Sequence, residues 1–401
     1  MVQINEPNEK TASVNKLLLF NLGFRIFFLA AGIFSALSML LWFAIYQFQL
    51  DIPFKTISSY QWHAHEMIYG YSIAVIAGFL LTATKNWTGI QTASGVKLIL
   101  LFSLWLGARL SYVFGEHFIL LAASLDVIFL LLLTLAIAIP ILKVRQWGQA
   151  PVLLVLLLVT LFNGIFFTGV LTSEQHEINT GLYGGFYLVI SLILIMSRRV
   201  VPFFIERGVG ENIQLFQSKI IDVLIIISLI VFFLSEVGLN NDFYAAIAAS
   251  MLFLLSAVRL TGWHHKGIWK KSMLWGLYLA NAALSLGFLL LVIHYVTGIV
   301  HYYAVHLFAV GGIGLITLSM MSRVALGHTG RDATKPHKSI RYALLILLVS
   351  VVFRVVMPFI DTENYSIWIG IAQLCWIISF TIFSLVYLPI LTKPRIDNMP
   401  G

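Results

Sequence analysis

The sequence has little cysteine and little charge. Its single cysteine, Cys375, excludes a disulfide framework, a cysteine-based zinc site and an iron–sulfur cluster. Only 10% of the 401 residues are charged, whereas soluble globular proteins carry about 25%. With 60% hydrophobic residues and a mean hydropathy of +0.93, the chain cannot be a soluble enzyme, a disordered protein or a nucleic-acid-binding domain.

Several catalytic signatures are also missing. The chain has no Walker loop, which leaves ATP-driven transport by this chain unsupported. No Gly-rich dinucleotide motif follows a strand pattern. The segment His63-Ala64-His65-Glu66 is not the His-Glu-x-x-His motif of metalloproteases. The informative features of the chain are therefore its apolar runs and the few polar residues within them.

Twelve apolar runs are long enough to cross a bilayer, which takes about 20 apolar residues per helix. The runs are continuous rather than alternating, so they predict helices and not barrel strands. We therefore expect an all-α polytopic membrane protein whose single integral membrane domain covers residues 1–401. The predicted spans are residues 22–47, 64–85, 97–115, 118–142, 151–172, 180–204, 219–236, 242–262, 272–296, 301–323, 339–360 and 365–391.

Lysine and arginine are concentrated in alternate loops. They precede the first span, as Lys10 and Lys16 do, and they flank the loops that follow the even-numbered spans. The opposite loops carry acids such as Asp51 and Glu116 and little positive charge besides Lys55. The positive-inside rule then predicts that both termini lie in the cytoplasm. The net charge of +8 therefore indicates topology in a lipid membrane rather than affinity for nucleic acid.

Three ionisable residues fall inside the outer half of predicted spans, where each costs several kcal/mol unless it faces the bundle interior. They are Arg109 in the third span, Asp126 in the fourth and Arg354 in the eleventh. One interpretation is a structural pair between Arg109 and Asp126 that bridges adjacent helices. The other is that the arginines bind an anion, such as the propionates of a haem, at this depth.

Histidines are placed at the outer ends of two spans. His63 and His65 open the second span, and His301 and His306 open the tenth. Two neutral imidazoles from facing helices are a frequent way to hold a haem iron. Helical residues two apart point about 200° apart, so His63 and His65 cannot ligate one iron, and the same reasoning separates His301 from His306.

A weak internal repeat guides the choice among these histidines. His65 and His306 are followed by a glycine and then by Thr-Gly at identical spacings, and the sixth and tenth spans both end in Met-Ser-Arg. Spans 2, 6 and 10 are four apart, which favours three four-helix units. The preferred iron ligands are His65 and His306, with Glu66, His63 and His301 beside them or on a second metal.

This architecture resembles subunit I of the haem–copper oxidases, which also builds three four-helix arcs. The chain departs from that family at its copper site, because the seventh span has no histidine. The resemblance therefore implies an arrangement of helices and not oxygen reduction.

Longer motifs resemble the NnrS family. They are Trp-His-Ala-His-Glu-Met at residues 62–67, Ala-Gly-Phe-Leu-Leu-Thr-Ala at 77–83, Asn-Trp-Thr-Gly at 86–89 and Ser-Arg-Val-Ala-Leu-Gly-His-Thr-Gly-Arg at 322–331. The resemblance implies a bacterial inner-membrane protein with haem and copper that takes part in the nitric oxide response. The residues that match the family motifs are His63, His65, Glu66, His306, Arg323, His328 and Arg331. His328 is a candidate metal ligand or a cap of the tenth span.

We expect from the residues and the resemblance a protein that holds haem b non-covalently, with copper as a second candidate metal. Its expected partner is nitric oxide, and it would relieve nitrosative stress by binding nitric oxide or by redox chemistry on it. One alternative is a secondary transporter or a metal or haem exporter, since twelve spans with both ends inside is also the major-facilitator count. Another is a non-catalytic sensor or assembly factor. The sequence identifies no protein partner.

Overall fold

The structure is a computed structural model that describes residues 18–50, 56–210, 213–299 and 301–397. These residues form helices and no strand. Twelve of the helices are long and apolar enough to cross a membrane, which confirms the predicted all-α polytopic fold. The charged residues Lys10, Lys16, Asp51 and Lys55, used above to predict topology, lie outside the described residues.

The membrane helices are numbered in chain order. They are α1 (Gly23–Phe48), α2 (Ser59–Thr88), α3 (Val96–Val113), α4 (Glu116–Lys143), α5 (Trp147–Thr172), α6 (Gln175–Val209), α7 (Lys219–Gly238), α8 (Asp242–Gly262), α9 (Ser272–Thr297), α10 (Tyr302–His328), α11 (Lys338–Ile360) and α12 (Tyr365–Thr392). The even-numbered helices all begin at one end of the bundle, called here the histidine end. The opposite end, with the lysine- and arginine-rich loops, is the basic end.

Helix α2 begins at Ser59 instead of the predicted residue 64, because a capping box lies in the polar segment before the apolar run. The Ser58 hydroxyl accepts from the backbone N–H of Gln61, and the Gln61 side chain accepts from the backbone N–H of Ser58. The Gln61 amide also donates to Gln175 at the start of α6, at 2.8 Å. His63 and His65 therefore lie within a regular helix whose start is tied to α6.

Helices α2, α6 and α10 form the centre of the bundle. The apolar windows of these helices are 78%, 61% and 78% buried, and no other helix exceeds 56%. They contact one another, while the remaining helices lie around them and present exposed leucine and isoleucine side chains to lipid. The three spans that the weak repeat relates are therefore the three central helices.

Small residues allow α2 and α6 to approach closely. A Cβ at Gly185 would lie 2.2 Å from the Tyr69 hydroxyl. That hydroxyl donates to the Gly181 carbonyl at 2.7 Å. The crossing of the two helices thus depends on a glycine surface on α6 that leaves room for a buried tyrosine of α2.

Four helices contain a π-helical segment, a wide turn that is rare in α-helices and frequent at functional sites. The segments are Glu66–Ser72 in α2, Leu234–Gly238 in α7, Leu307–Gly314 in α10 and Val352–Val356 in α11. In α2 and α10 the segment begins directly after His65 and His306. The repeat seen in the sequence therefore has a counterpart in backbone geometry.

We predict that Gly185→Ala destabilises the protein by about 1–3 kcal/mol, because the added methyl group displaces Tyr69 and overpacks the α2–α6 crossing. Thermal unfolding of the purified chain in detergent measures the loss. Gly164→Ala is the matched control, since a Cβ there meets no atom within 4 Å. Equal unfolding temperatures for the two variants would contradict the role given to the crossing.

Candidate functional site

A cluster of buried charges, called here the ion cluster, joins α2, α3, α4 and α5. Arg109 Nε lies 2.9 Å from Glu66 Oε2, and Arg109 Nη2 lies 2.7 Å from Asp126 Oδ2. Asn163 Nδ2 donates to the same Asp126 oxygen at 3.2 Å. Each of these residues is at most 6% exposed. The predicted pair between Arg109 and Asp126 is present, and it also includes a carboxylate from α2.

His65 belongs to this ion cluster. Its Nδ1 is 2.9 Å from Glu66 Oε1 and its Nε2 is 3.0 Å from Asn163 Oδ1, while its ring stacks on Phe166 with centroids 4.4 Å apart. Both ring nitrogens therefore lie within hydrogen-bonding distance of oxygen atoms of neighbouring side chains. In this arrangement His65 has no free ring nitrogen for a metal.

His306 lies in a different cluster, called here the His306 cluster, which also contains His63 and Arg354. The Nδ1–H of His306 donates to the Tyr302 carbonyl at 2.8 Å, and its Nε2 accepts from Arg354 Nη2 at 2.9 Å. A backbone carbonyl on one ring nitrogen is the arrangement typical of metal-binding histidines, since it fixes the tautomer and leaves a lone pair on the other nitrogen.

The His306 cluster lacks carboxylates like those that pair with the arginine of the ion cluster. Arg354 forms no ion pair among the described residues; besides His306, the Tyr365 side chain lies within its hydrogen-bonding reach. His63 lies close enough to Arg354 and His306 for their charges to interact. The His63 ring stacks on Trp42 of α1, with centroids 4.6 Å apart, and its buried Nδ1 has no hydrogen-bond partner among the described residues. Positive charge and donor atoms thus meet here without an anion.

Further buried polar atoms that have no hydrogen-bond partner among the described residues lie between α1 and α12. They are Ser38 Oγ and both amide atoms of Gln373. Trp376 Nε1 donates to Ser35 Oγ at 2.9 Å, which aligns the two helices. Ser38 and Gln373 each lie three residues, or about 4.5 Å, closer to the histidine end than that bond. Buried polar groups are normally hydrogen-bonded, so these atoms can bind water as well as a polar ligand.

A third cluster, called here the Glu236 cluster, joins α6, α7, α9 and the start of α10. The Tyr295 hydroxyl donates to Glu236. The Tyr187 hydroxyl lies 3.4 Å from Glu236 Oε1 and 3.2 Å from His301 Nε2, and the His301 ring lies near that of His294. The sequence reasoning missed Glu236 and both tyrosines. A carboxylate three residues after the last phenylalanine of a highly apolar run was the available signal.

The structure does not bring His65 and His306 together, because the ion cluster holds the first and Arg354 the second. It does bring His63 near His306, while His301 belongs to the Glu236 cluster. His328 is the last residue of α10 and packs on Phe24. It is 22 residues from His306, about 33 Å along the helix. Within the described residues, no three His, Cys, Asp or Glu side chains are grouped to hold a metal ion.

All three clusters are associated with π-helical segments. Glu66 is the first residue of one segment, Glu236 and Arg354 lie inside two others, and His306 immediately precedes the fourth. The widened turn re-aims side chains and leaves the α-helical hydrogen-bond ladder locally disrupted. The four π segments of the described chain thus mark the places where polar side chains enter the bundle.

The comparison with protein families gives one match that covers most of the chain. The family described as NnrS protein matches residues 18–395. No curated protein matches the sequence. The matched range includes the twelve membrane helices and all three polar clusters.

We predict that Arg109→Met destabilises the protein by about 3–5 kcal/mol, because it leaves two buried carboxylates without their shared cation. Chemical unfolding in detergent, followed by tryptophan fluorescence, measures the change. Arg207→Met, at an exposed position of α6, is the control and should change stability little. The ion cluster would not have the assigned role if the two variants unfolded alike.

Proposed function

The chain belongs to the NnrS family, and from that premise we propose that it is a membrane haem protein of the nitric oxide response. The proposed cofactor is haem b, bound without a covalent link in the His306 cluster. The observation that carries the proposal is the guanidinium of Arg354, which lies beside His306 and His63 without a carboxylate partner among the described residues.

The donor set of the His306 cluster fits a haem. His306 has its Nδ1–H on a backbone carbonyl and a lone pair on Nε2, which is the form that ligates iron. His63 comes from the facing helix α2, and its buried Nδ1 has no hydrogen-bond partner among the described residues. Arg354 would release the His306 lone pair when haem binds and would neutralise a propionate of the haem.

The proposal changes one residue of the sequence-based prediction. His65 was preferred over His63 because the repeat places it in register with His306. The ion cluster occupies both of its ring nitrogens, whereas His63 lies on the side of α2 that faces α1 and His306. We therefore propose His63 and His306 as the haem ligands and assign His65 to stabilising the α2–α5 contacts.

Haem iron supplies a coordination position for nitric oxide when the cofactor is bound. The residues around it control access and charge. Trp42 covers one face of His63, and the apolar helices around the cluster admit a small apolar gas from the bilayer more readily than an ion. Copper is not part of the proposal, since the described residues offer no group of three metal-binding side chains.

We also propose that the protein lies in the bacterial inner membrane with both termini in the cytoplasm and the histidine end toward the periplasm. The basic residues between α10 and α11, and those that follow α12, support this orientation. The central position of α2, α6 and α10 favours three four-helix units over the two six-helix halves of a major-facilitator transporter.

We predict that the purified protein from haem-replete cells has a b-type Soret band that His306→Ala and His63→Ala both abolish. His65→Ala should lower the unfolding temperature while folded molecules keep their haem, because His65 is assigned to the ion cluster. His176→Ala, exposed at the histidine end, is the control. Optical spectra normalised to folded protein measure the outcome.

The results separate the two candidate ligands on α2. Loss of the band in folded His65→Ala protein, with His63→Ala retaining it, would return the ligand to His65 and overturn the assignment made here. A wild-type protein without haem would overturn the haem proposal itself.

We predict that nitric oxide added without oxygen shifts the Soret band of the wild-type protein. In cells that lack this protein, expression of the wild-type chain should restore growth in the presence of nitric oxide. His306→Ala should fail in both measurements because the iron ligand is lost, and His176→Ala should match the wild type. Nitric oxide consumption by proteoliposomes then distinguishes turnover from sensing. Full protection by His306→Ala would refute a role for the haem.

A further inference from the structure

A cavity of about 80 Å³ lies between the three central helices, in the middle of the membrane-spanning region. It is separate from the three polar clusters, none of whose residues line it. Its wall comes mainly from α2, α6 and α10, and it includes Val75, Phe79, Val189, Met196, Ile316 and Met320.

The cavity wall is almost entirely carbon. Three hydroxyl-bearing residues line it, but Ser72 donates to the Met67 carbonyl at 2.8 Å and Thr317 donates to the Ile313 carbonyl at 2.6 Å. Among the described residues, the Ser197 hydroxyl alone of these three has no hydrogen-bond partner. A buried water needs two to four polar partners, so the cavity is dry. The same lining excludes ions and polar headgroups, which would lose their hydration without compensation.

The size of the cavity restricts its occupant further. About 10–15 Å³ of such space holds one water, and a dry cavity of about 150 Å³ in another protein binds benzene or xenon. A cavity of 80 Å³ therefore admits one xenon atom or a diatomic gas but is too small for a lipid acyl chain.

The cavity begins where two π-helical segments end. Ser72 is the last residue of the segment in α2, and Ile313 is the next-to-last in α10. Each lies seven residues from the histidine that precedes its segment, about 10 Å along the helix. The cavity therefore lies about 10 Å from these two histidines along the helices, with one π-helical turn in between on α2 and one on α10.

We propose that this cavity is a binding chamber for small apolar gas molecules. That nitric oxide is its occupant in the cell rests on the proposed function, whereas gas binding itself does not. The chamber would hold an uncharged gas close to the His306 cluster, in a space that water and ions do not enter.

Xenon is the probe for the experiment, because it reports an apolar cavity and needs no haem. The full chain, purified in detergent, is crystallised and pressurised with xenon, or studied by xenon exchange NMR. We expect one xenon site between α2, α6 and α10. Val189→Phe should abolish it by filling the cavity, since Val189 is 1% exposed and lines the wall. Val349 is 44% exposed on the lipid-facing side of α11, so Val349→Phe should retain the xenon site.

Met320→Ala provides a second variant that does not depend on fitting a larger side chain. It enlarges the cavity and should increase xenon occupancy. The absence of xenon from this site in folded wild-type protein, or ordered water or an acyl chain in its place, would overturn the proposal. Xenon binding by a protein that lacks haem would leave the chamber intact and refute only the proposed function.

Discussion

Charge compensation inside the membrane is the constraint on which this structure depends. Water is absent there, so each buried guanidinium must find its partners within the protein. Arg25 has the carbonyls of Leu391 and Lys393 among its partners, which joins α1 to the end of α12. Arg109 uses two carboxylates and thereby positions α2, α3 and α4. Arg354 instead donates to an imidazole, so it differs from Arg109 in having no carboxylate partner among the described residues.

The two related helices α2 and α10 show how one local geometry can serve two purposes. Each has a histidine directly followed by a π-helical segment. On α2 the neighbouring helices supply Arg109, Asp126 and Asn163, and the histidine becomes part of a closed network of hydrogen bonds and ion pairs. On α10 the neighbouring helix α11 supplies an arginine alone. The surroundings, and not the helix itself, therefore decide which histidine remains available to a ligand.

The twelve spans could be predicted from the sequence because lipid leaves a chain few options besides an apolar helix. The Arg109–Asp126 pair was also predictable, since both residues lie at similar depth in consecutive spans. The start of α2 was not, because Ser58 and Gln61 extend the helix into a polar segment that hydropathy does not mark. The choice between His63 and His65 depends on which neighbours surround α2. Glu236 could not be recognised as a buried cluster residue from the sequence, because it lies near the end of its span, where acids are common.

The π-helical segments also bear on how such a bundle can change during evolution. A π turn holds one residue more than an α turn, so it can accommodate a single residue inserted into a helix. Each residue of an α-helix advances the chain by about 100°. An insertion without a π turn would therefore rotate every side chain beyond it, whereas a π turn takes up the extra residue locally and the helix on either side keeps its register. In α2, α7, α10 and α11, the polar interior and the membrane-facing surface can vary independently.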